Sequence, residues 1–148
     1  QQLEMESLGK PANARSFLRE TGQTIFGGFG STAQHSYFQL LHQGTSQASA
    51  DIIYSPSAKS PLSKAQAQGQ AALLSSTQKQ SGKPLELTNS NIPVNLFMLP
   101  KLSLKELGFL VATWEHRVFV TASLLQINPF DQFGVAAGKT VAQKFLKK

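Results

Sequence analysis

Apolar and polar positions change period several times along the chain, and the changes predict helices alternating with strands. The opening QQLEMESLGK reads as the inside of a helix. Thr24, Ile25 and Phe26 form a short apolar run ended by the turn-rich GGFGS, the pattern of a buried strand feeding a loop. A helix is predicted from about Thr32 to His42, with Gly44 as its stop, and then a strand over Asp51 to Tyr54. Ser60 and Pro61 make an N-cap and first-turn pair that opens an Ala/Gln-rich, mostly exposed helix ending near Gly82. The run Ile92 to Leu99, with VNLFML at its centre, reads as a strand buried on both faces. Ser103 and Glu106 have capping-box spacing at the start of a long apolar helix limited by the INPFD turn, and a last helix runs from about Asp131 to the tail.

Strands alternating with helices imply an α/β fold with a parallel sheet and right-handed crossovers. The three strands expected here make a narrow sheet, whose two outer edges would carry unpaired backbone groups. A beginning inside a helix and an underfilled sheet agree in suggesting an incomplete domain, the C-terminal portion of a larger protein. No internal repeat is visible.

Composition narrows the function classes. At 148 residues with 41% apolar residues the length suits one domain with its own core, and zero cysteines exclude a disulfide scaffold and thiolate metal sites. Nothing resembles a signal peptide, so a cytoplasmic location is expected. The stretch Leu104 to Ile127 is long enough to cross a bilayer, but Glu115, His116 and Arg117 sit in its middle, where charge is costly, so a buried helix is expected and no membrane partner. The formal charge of +6 invites a nucleic-acid reading. Yet Lys and Arg are scattered singly, and the one cluster, Lys144, Lys147 and Lys148, has no interleaved aromatic platform, so no nucleic acid is expected either.

Three stretches are informative together: QQLEMESLGK, GGFGSTAQHSYFQLLHQGTS and WEHRVFVTASLLQINPFDQFGVAAGK. They resemble the glucose-6-phosphate isomerase family, in which QQxxMESNGK, GxxGxxxQHxxxQLxHQGT and EHxxF…INxFDQxGVxxGK segments occur in this order. The match spans Gln1 to Lys139, with only the Ala/Gln-rich middle unmatched. The resemblance implies a sugar-isomerase (SIS) type three-layer α/β sandwich with a parallel sheet, residues 1–148 being the C-terminal SIS portion. It also implies that the family's phosphate-binding Ser/Thr loops and an essential Arg belong to a missing N-terminal part.

Aldose–ketose isomerisation moves a proton between adjacent carbons through a cis-enediol and needs a movable base, a ring-opening group and a phosphate site, but no metal or organic cofactor. By the resemblance Glu6 aligns with the family's base, and burial beside Met5 is expected to favour its role as proton acceptor. His35 aligns with the ring-opening histidine, which reaches the site of the neighbouring subunit in a homodimer. It is expected in the first turn of its helix, where the dipole keeps imidazole neutral. Lys139 aligns with the lysine at the ring oxygen, and Gln2 and Gln132 with substrate-binding glutamines of a sugar-phosphate site.

Other candidates are set aside. His35, Gln39 and His42 would form one polar stripe on an unbroken helix, but no HExxH pattern or third ligand accompanies them, so no metal is expected and His42 is read as a hydrogen-bonded structural residue. Gly27, Gly28 and Gly30 give GGxG, not the dinucleotide fingerprint GxGxxG. Glu115 and His116 match the family's EH pair and are expected in a buried polar network. The chain departs from the family at Leu8 (for Asn), Gly28 and Phe29 (for Glu and Pro), Thr32 (for Asn), and Ala136 and Ala137 (for Glu and Leu). The alternative is a noncatalytic SIS-type module that binds sugar phosphate or assists assembly.

Overall fold

The computed structural model describes residues 1–57, 60–76, 83, 87–89 and 91–146. The elements are α1 (Gln2–Leu8), α2 (Gly30–Gln34), α3 (Phe38–Gln43), β1 (Ala50–Tyr54), α4 (Pro61–Ser75), β2 (Val94–Met98), α5 (Leu104–Leu125) and α6 (Phe133–Leu146). The chain divides into two compact units: Gln1–Phe26 with Gly108–Lys148, and Gly27–Leu107.

The second unit carries the sheet. β1 and β2 pair in parallel, with Ala50 opposite Val94 and Tyr54 opposite Met98. The Asn95 amide donates to the carboxylate of its register partner Asp51 at 2.8 Å. α4 packs on both strands and places Ala71 and Leu74 in the interior. Its start follows the expectation, since the Ser60 hydroxyl accepts from the Ser63 N–H at 3.4 Å and Pro61 stands in the first turn. The described helix ends at Ser75, and the expected end at Gly82 lies outside the described residues. Asn89 ties off α3: its side-chain amide donates to the carbonyls of Leu41 and Gly44, and its N–H to that of His42. Ser103 and Glu106 meet at the start of α5 side chain to side chain, the hydroxyl donating to the carboxylate in place of the backbone bonds of a capping box, and this bond holds the Glu106 carboxyl below the usual carboxylate range.

The α/β expectation with a parallel sheet is met, but three local expectations are corrected. Thr24–Phe26 is not a strand; the Ile25 carbonyl accepts from the Gln1 side chain at 2.7 Å, and Phe26 is exposed. A three-residue run has too few ladder bonds to hold an edge by itself. β2 is not buried on both faces, because Leu96 and Met98 are exposed while α4 supplies the packing. The helix expected over 32–42 is broken at His35–Tyr37, where the Ala33 carbonyl accepts from both Ser36 and Tyr37. Ala33 and Leu41 are both buried but would lie roughly 80° apart around an unbroken helix, and the break lets each face inward.

The first unit is organised by α5. Val118, Ala122 and Leu125, spaced i, i+4, i+7, bury one stripe and enclose Leu8 of α1, with Ile127 packed alongside. Seven residues are too few for a stable isolated helix, so α1 exists because this contact and polar ties at both of its ends hold it. Enclosing Leu8 contributes about 2 kcal/mol. α5 is therefore not the buried helix expected: its other faces expose Phe109, Phe119 and Leu124. Among the described residues no helix is long and apolar enough to cross a membrane. α6 has no buried residue.

α5 ends in a Schellman turn: Ile127 N–H bonds to the Ala122 carbonyl at 3.0 Å and Gln126 N–H to that of Ser123 at 3.1 Å. The turn puts Gln126 at φ 56°, in the left-handed region that glycine favours. Gln126→Gly keeps the carbonyl that accepts from Asn13 and removes the Cβ cost. It is expected to stabilise the protein by about 0.5–1 kcal/mol. A urea midpoint that falls instead of rising contradicts this.

Candidate functional site

The first unit gathers four of the five predicted site residues. Gln2 and Glu6 are one helical turn apart on α1, and the Gln2 amide reaches the Glu6 carboxylate at 3.5 Å. Glu6 is half-buried, but it is not shielded by Met5, whose side chain is exposed; neighbours in a helix point about 100° apart. The expected burial of the base against Met5 is thus not found.

The segment after α1 folds back closely beneath Glu6. Gly9 closes α1 by donating to the Met5 carbonyl, and a Cβ at Gly9 would run into that oxygen. Gly22, at φ 66°, packs so closely that its own Cβ would lie 3.0 Å from Gly9 Cα. The chain then brings Lys10 inward. Its ammonium donates to the Glu6 carbonyl at 2.6 Å and to the Asp131 carbonyl, and lies 3.7 Å from the Asp131 carboxylate. Two chain segments 121 residues apart thereby share one nitrogen.

Asp131 is followed by Gln132, whose carbonyl accepts the Ala136 N–H at the start of α6. Gln132, just ahead of α6, and Lys139, within it, are both exposed. Lys10, Asn13, Gln126, Asp131 and Phe133 line a shallow groove of about 290 Å3. None of the five predicted site residues lines it.

A second tie holds the other end of α1. Glu4, only 3% exposed, accepts from the Gln23 amide at 2.7 Å and faces Arg117 Nε of α5 at 3.4 Å. Arg117 also lies over the Trp114 ring, 5.7 Å from its centroid. The buried polar group is thus Glu4 of α1, paired with a partly exposed Arg117 of α5, and the network expected at Glu115 and His116 is not found. Glu115 and His116 are exposed, and the His116 ring contacts the carbonyl of Ala112 in its own helix at 2.7 Å. Buried charge needs a partner, and that requirement alone could have drawn attention to Arg117 inside an apolar helix.

His35 belongs to the second unit and the other four to the first. It caps the C-terminal end of α2, not a first turn, and its side chain is exposed, so the dipole argument for a neutral imidazole does not apply. The expected stripe is absent as well, because the break after α2 separates His35 from Gln39, which pairs with Gln43 at 2.6 Å. His42 bonds to Gln70 at 2.7 Å, a structural contact as expected. Among the described residues no group of three His, Cys, Asp or Glu side chains could hold a metal ion. A Cβ at Gly27 or Gly30 would meet nothing within 4 Å, so neither glycine is required by close packing in this chain.

The phosphoglucose isomerase family profile matches residues 1–148. The chain belongs to that family. Among its relatives, a glucose-6-phosphate isomerase of Shewanella loihica is 37% identical over all of the chain, and one of Shewanella baltica is 35% identical. The chain spans 32% of the length of each. A crystal structure of a glucose-6-phosphate isomerase from Chlamydia trachomatis aligns with 99% of the chain at a TM-score of 0.81 and 28% identity, the match covering 31% of that protein. A hypothetical protein from Thermus thermophilus, at 22% identity and a TM-score of 0.76, shares the fold over 99% of the chain and 37% of its own length.

Proposed function

We propose that this phosphoglucose isomerase family chain is the C-terminal SIS portion of an enzyme interconverting glucose 6-phosphate and fructose 6-phosphate. The reading is carried by one arrangement: the Glu6 carboxylate, with the Gln2 amide beside it, stands on a short helix tied by a single ammonium to the turn that presents Gln132. Glu6 takes the proton from C2 of the open aldose and returns it to C1 of the cis-enediol. Gln2 and Gln132 bind the sugar, and Lys139 stabilises charge at the ring oxygen. His35 opens the ring in the site of the other subunit of a homodimer. Because one carbon is reduced as its neighbour is oxidised, the reaction draws on no external oxidant or cofactor. The setting is cytoplasmic.

The remaining parts of the site, the phosphate-binding loops and an arginine, come from the rest of the enzyme. Exposed apolar side chains such as Phe133, Val141 and Phe145 on α6 suit a surface that the rest covers. The 148-residue chain alone is therefore expected to turn over sugar phosphate at under about 1% of the rate of the intact protein. The check is a coupled assay of both, purified free of each other. Equal rates would overturn the division of the site, and absence of isomerisation by the intact protein would overturn the assignment.

A further inference from the structure

Lys10 has no role in the proton transfer by Glu6, yet its side chain is only 10% exposed. Its ammonium has three donors, and three oxygens stand around it: the carbonyls of Glu6 and Asp131 and the carboxylate of Asp131. The lysine is also held at its root, where the Thr21 hydroxyl donates to the Lys10 carbonyl. Such a group cannot move without releasing both chain segments.

We propose that Lys10 is a positioning residue, which fixes the backbone under Glu6 relative to the turn that carries Gln132, so that base and amide meet one sugar from set directions. The inference rests on the isomerase reading above. Lys10 bonds the main-chain oxygen of Glu6 and not its carboxylate, so its effect passes through geometry. A displacement of about 1 Å at a reacting group can cost on the order of 100-fold in rate.

The test uses the intact protein and fructose 6-phosphate. Lys10→Met is expected to lower kcat about 10- to 100-fold, with KM changed less than about threefold and the acidic limb of the pH–rate profile unmoved. Lys10→Arg, which still reaches both carbonyls, is expected to recover much of the loss. A kcat for Lys10→Met within about threefold of the parent overturns the inference, as does a shift of the acidic limb with the plateau rate intact, which would mean that the lysine acts by its charge. Should Lys10→Met not fold, Lys10→Gln carries the test, since its polar but shorter side chain suits the same site and cannot span the carbonyls of Glu6 and Asp131. A fall in kcat of about threefold or more at an unchanged Tm supports positioning, and an unchanged kcat overturns it. Glu6→Gln measured in parallel separates the two failures. Turnover surviving that change sinks the isomerase reading; turnover lost there but intact in Lys10→Met and in Lys10→Gln sinks only the role of Lys10.

Discussion

Glu6→Gln in the intact protein is expected to lower kcat for both directions of the isomerisation by about 10²–10⁴-fold, the share that a positioned proton acceptor contributes. Gln keeps the length and shape of the side chain, and its amide oxygen can still accept from Gln2, so the local structure around the 3.5 Å contact should survive. What it cannot do is receive a proton from carbon. Substrate affinity, measured by fructose 6-phosphate binding, should change by less than about threefold, because the lost interaction belongs to the transition state. Exchange of the C2 proton of glucose 6-phosphate with D2O should stop along with turnover. A variant that retains parent turnover would leave a noncatalytic sugar-phosphate-binding module as the better reading; one that loses turnover and binding together would place Glu6 in binding and not in proton transfer.

How much of this was legible beforehand differs by level. Local signals with a short-range cause could be read directly: Ser60 and Pro61 start α4, and the β-rich runs at 51–54 and 94–98 become the paired strands. Signals that depend on what lies opposite could not. Thr24–Phe26 looked like a strand because its composition suits one, but a strand is made by its neighbour, and here the Ile25 carbonyl finds the Gln1 side chain. The broken helix at His35 has the same origin, since only the position of the interior shows that Ala33 and Leu41 must both point into it. In the site, Glu6, Gln2, Gln132 and Lys139 were found through motif likeness. Lys10 and Glu4 were not, because their partners Asp131 and Arg117 lie more than a hundred positions away in the chain. Leu8 is instructive in another way. It stood out as a departure from the family's Asn, and it is an interior residue of the cluster around Val118.

Arg117→Met should be among the most damaging single changes outside the proposed chemistry. It leaves the Glu4 carboxylate, 3% exposed, without its cation, and Gln23 remains as a single hydrogen-bonding partner. Removing one member of a buried ion pair typically costs about 3–5 kcal/mol. Arg117 is itself 35% exposed in its side chain, so water relieves part of the penalty and about 3 kcal/mol is expected. The ring contact with Trp114 accounts for about 0.5–1 kcal/mol of that, and the rest is the stranded charge. The double variant Glu4→Gln/Arg117→Met separates these contributions, because a neutral amide at position 4 can still accept from Gln23 and no longer needs a cation. It should recover about 2 kcal/mol relative to Arg117→Met, an opposite-signed coupling that urea unfolding of the four proteins in the cycle will reveal. If the single change costs under about 1 kcal/mol, or if the double variant is no more stable than Arg117→Met, then Glu4 is adequately solvated and the pair does not anchor α1. If the coupling is found, the consequence reaches the site. Glu6 stands two residues from Glu4 on a seven-residue helix that cannot persist by itself, so loosening the Glu4 end should lower kcat of the folded fraction as well as its stability.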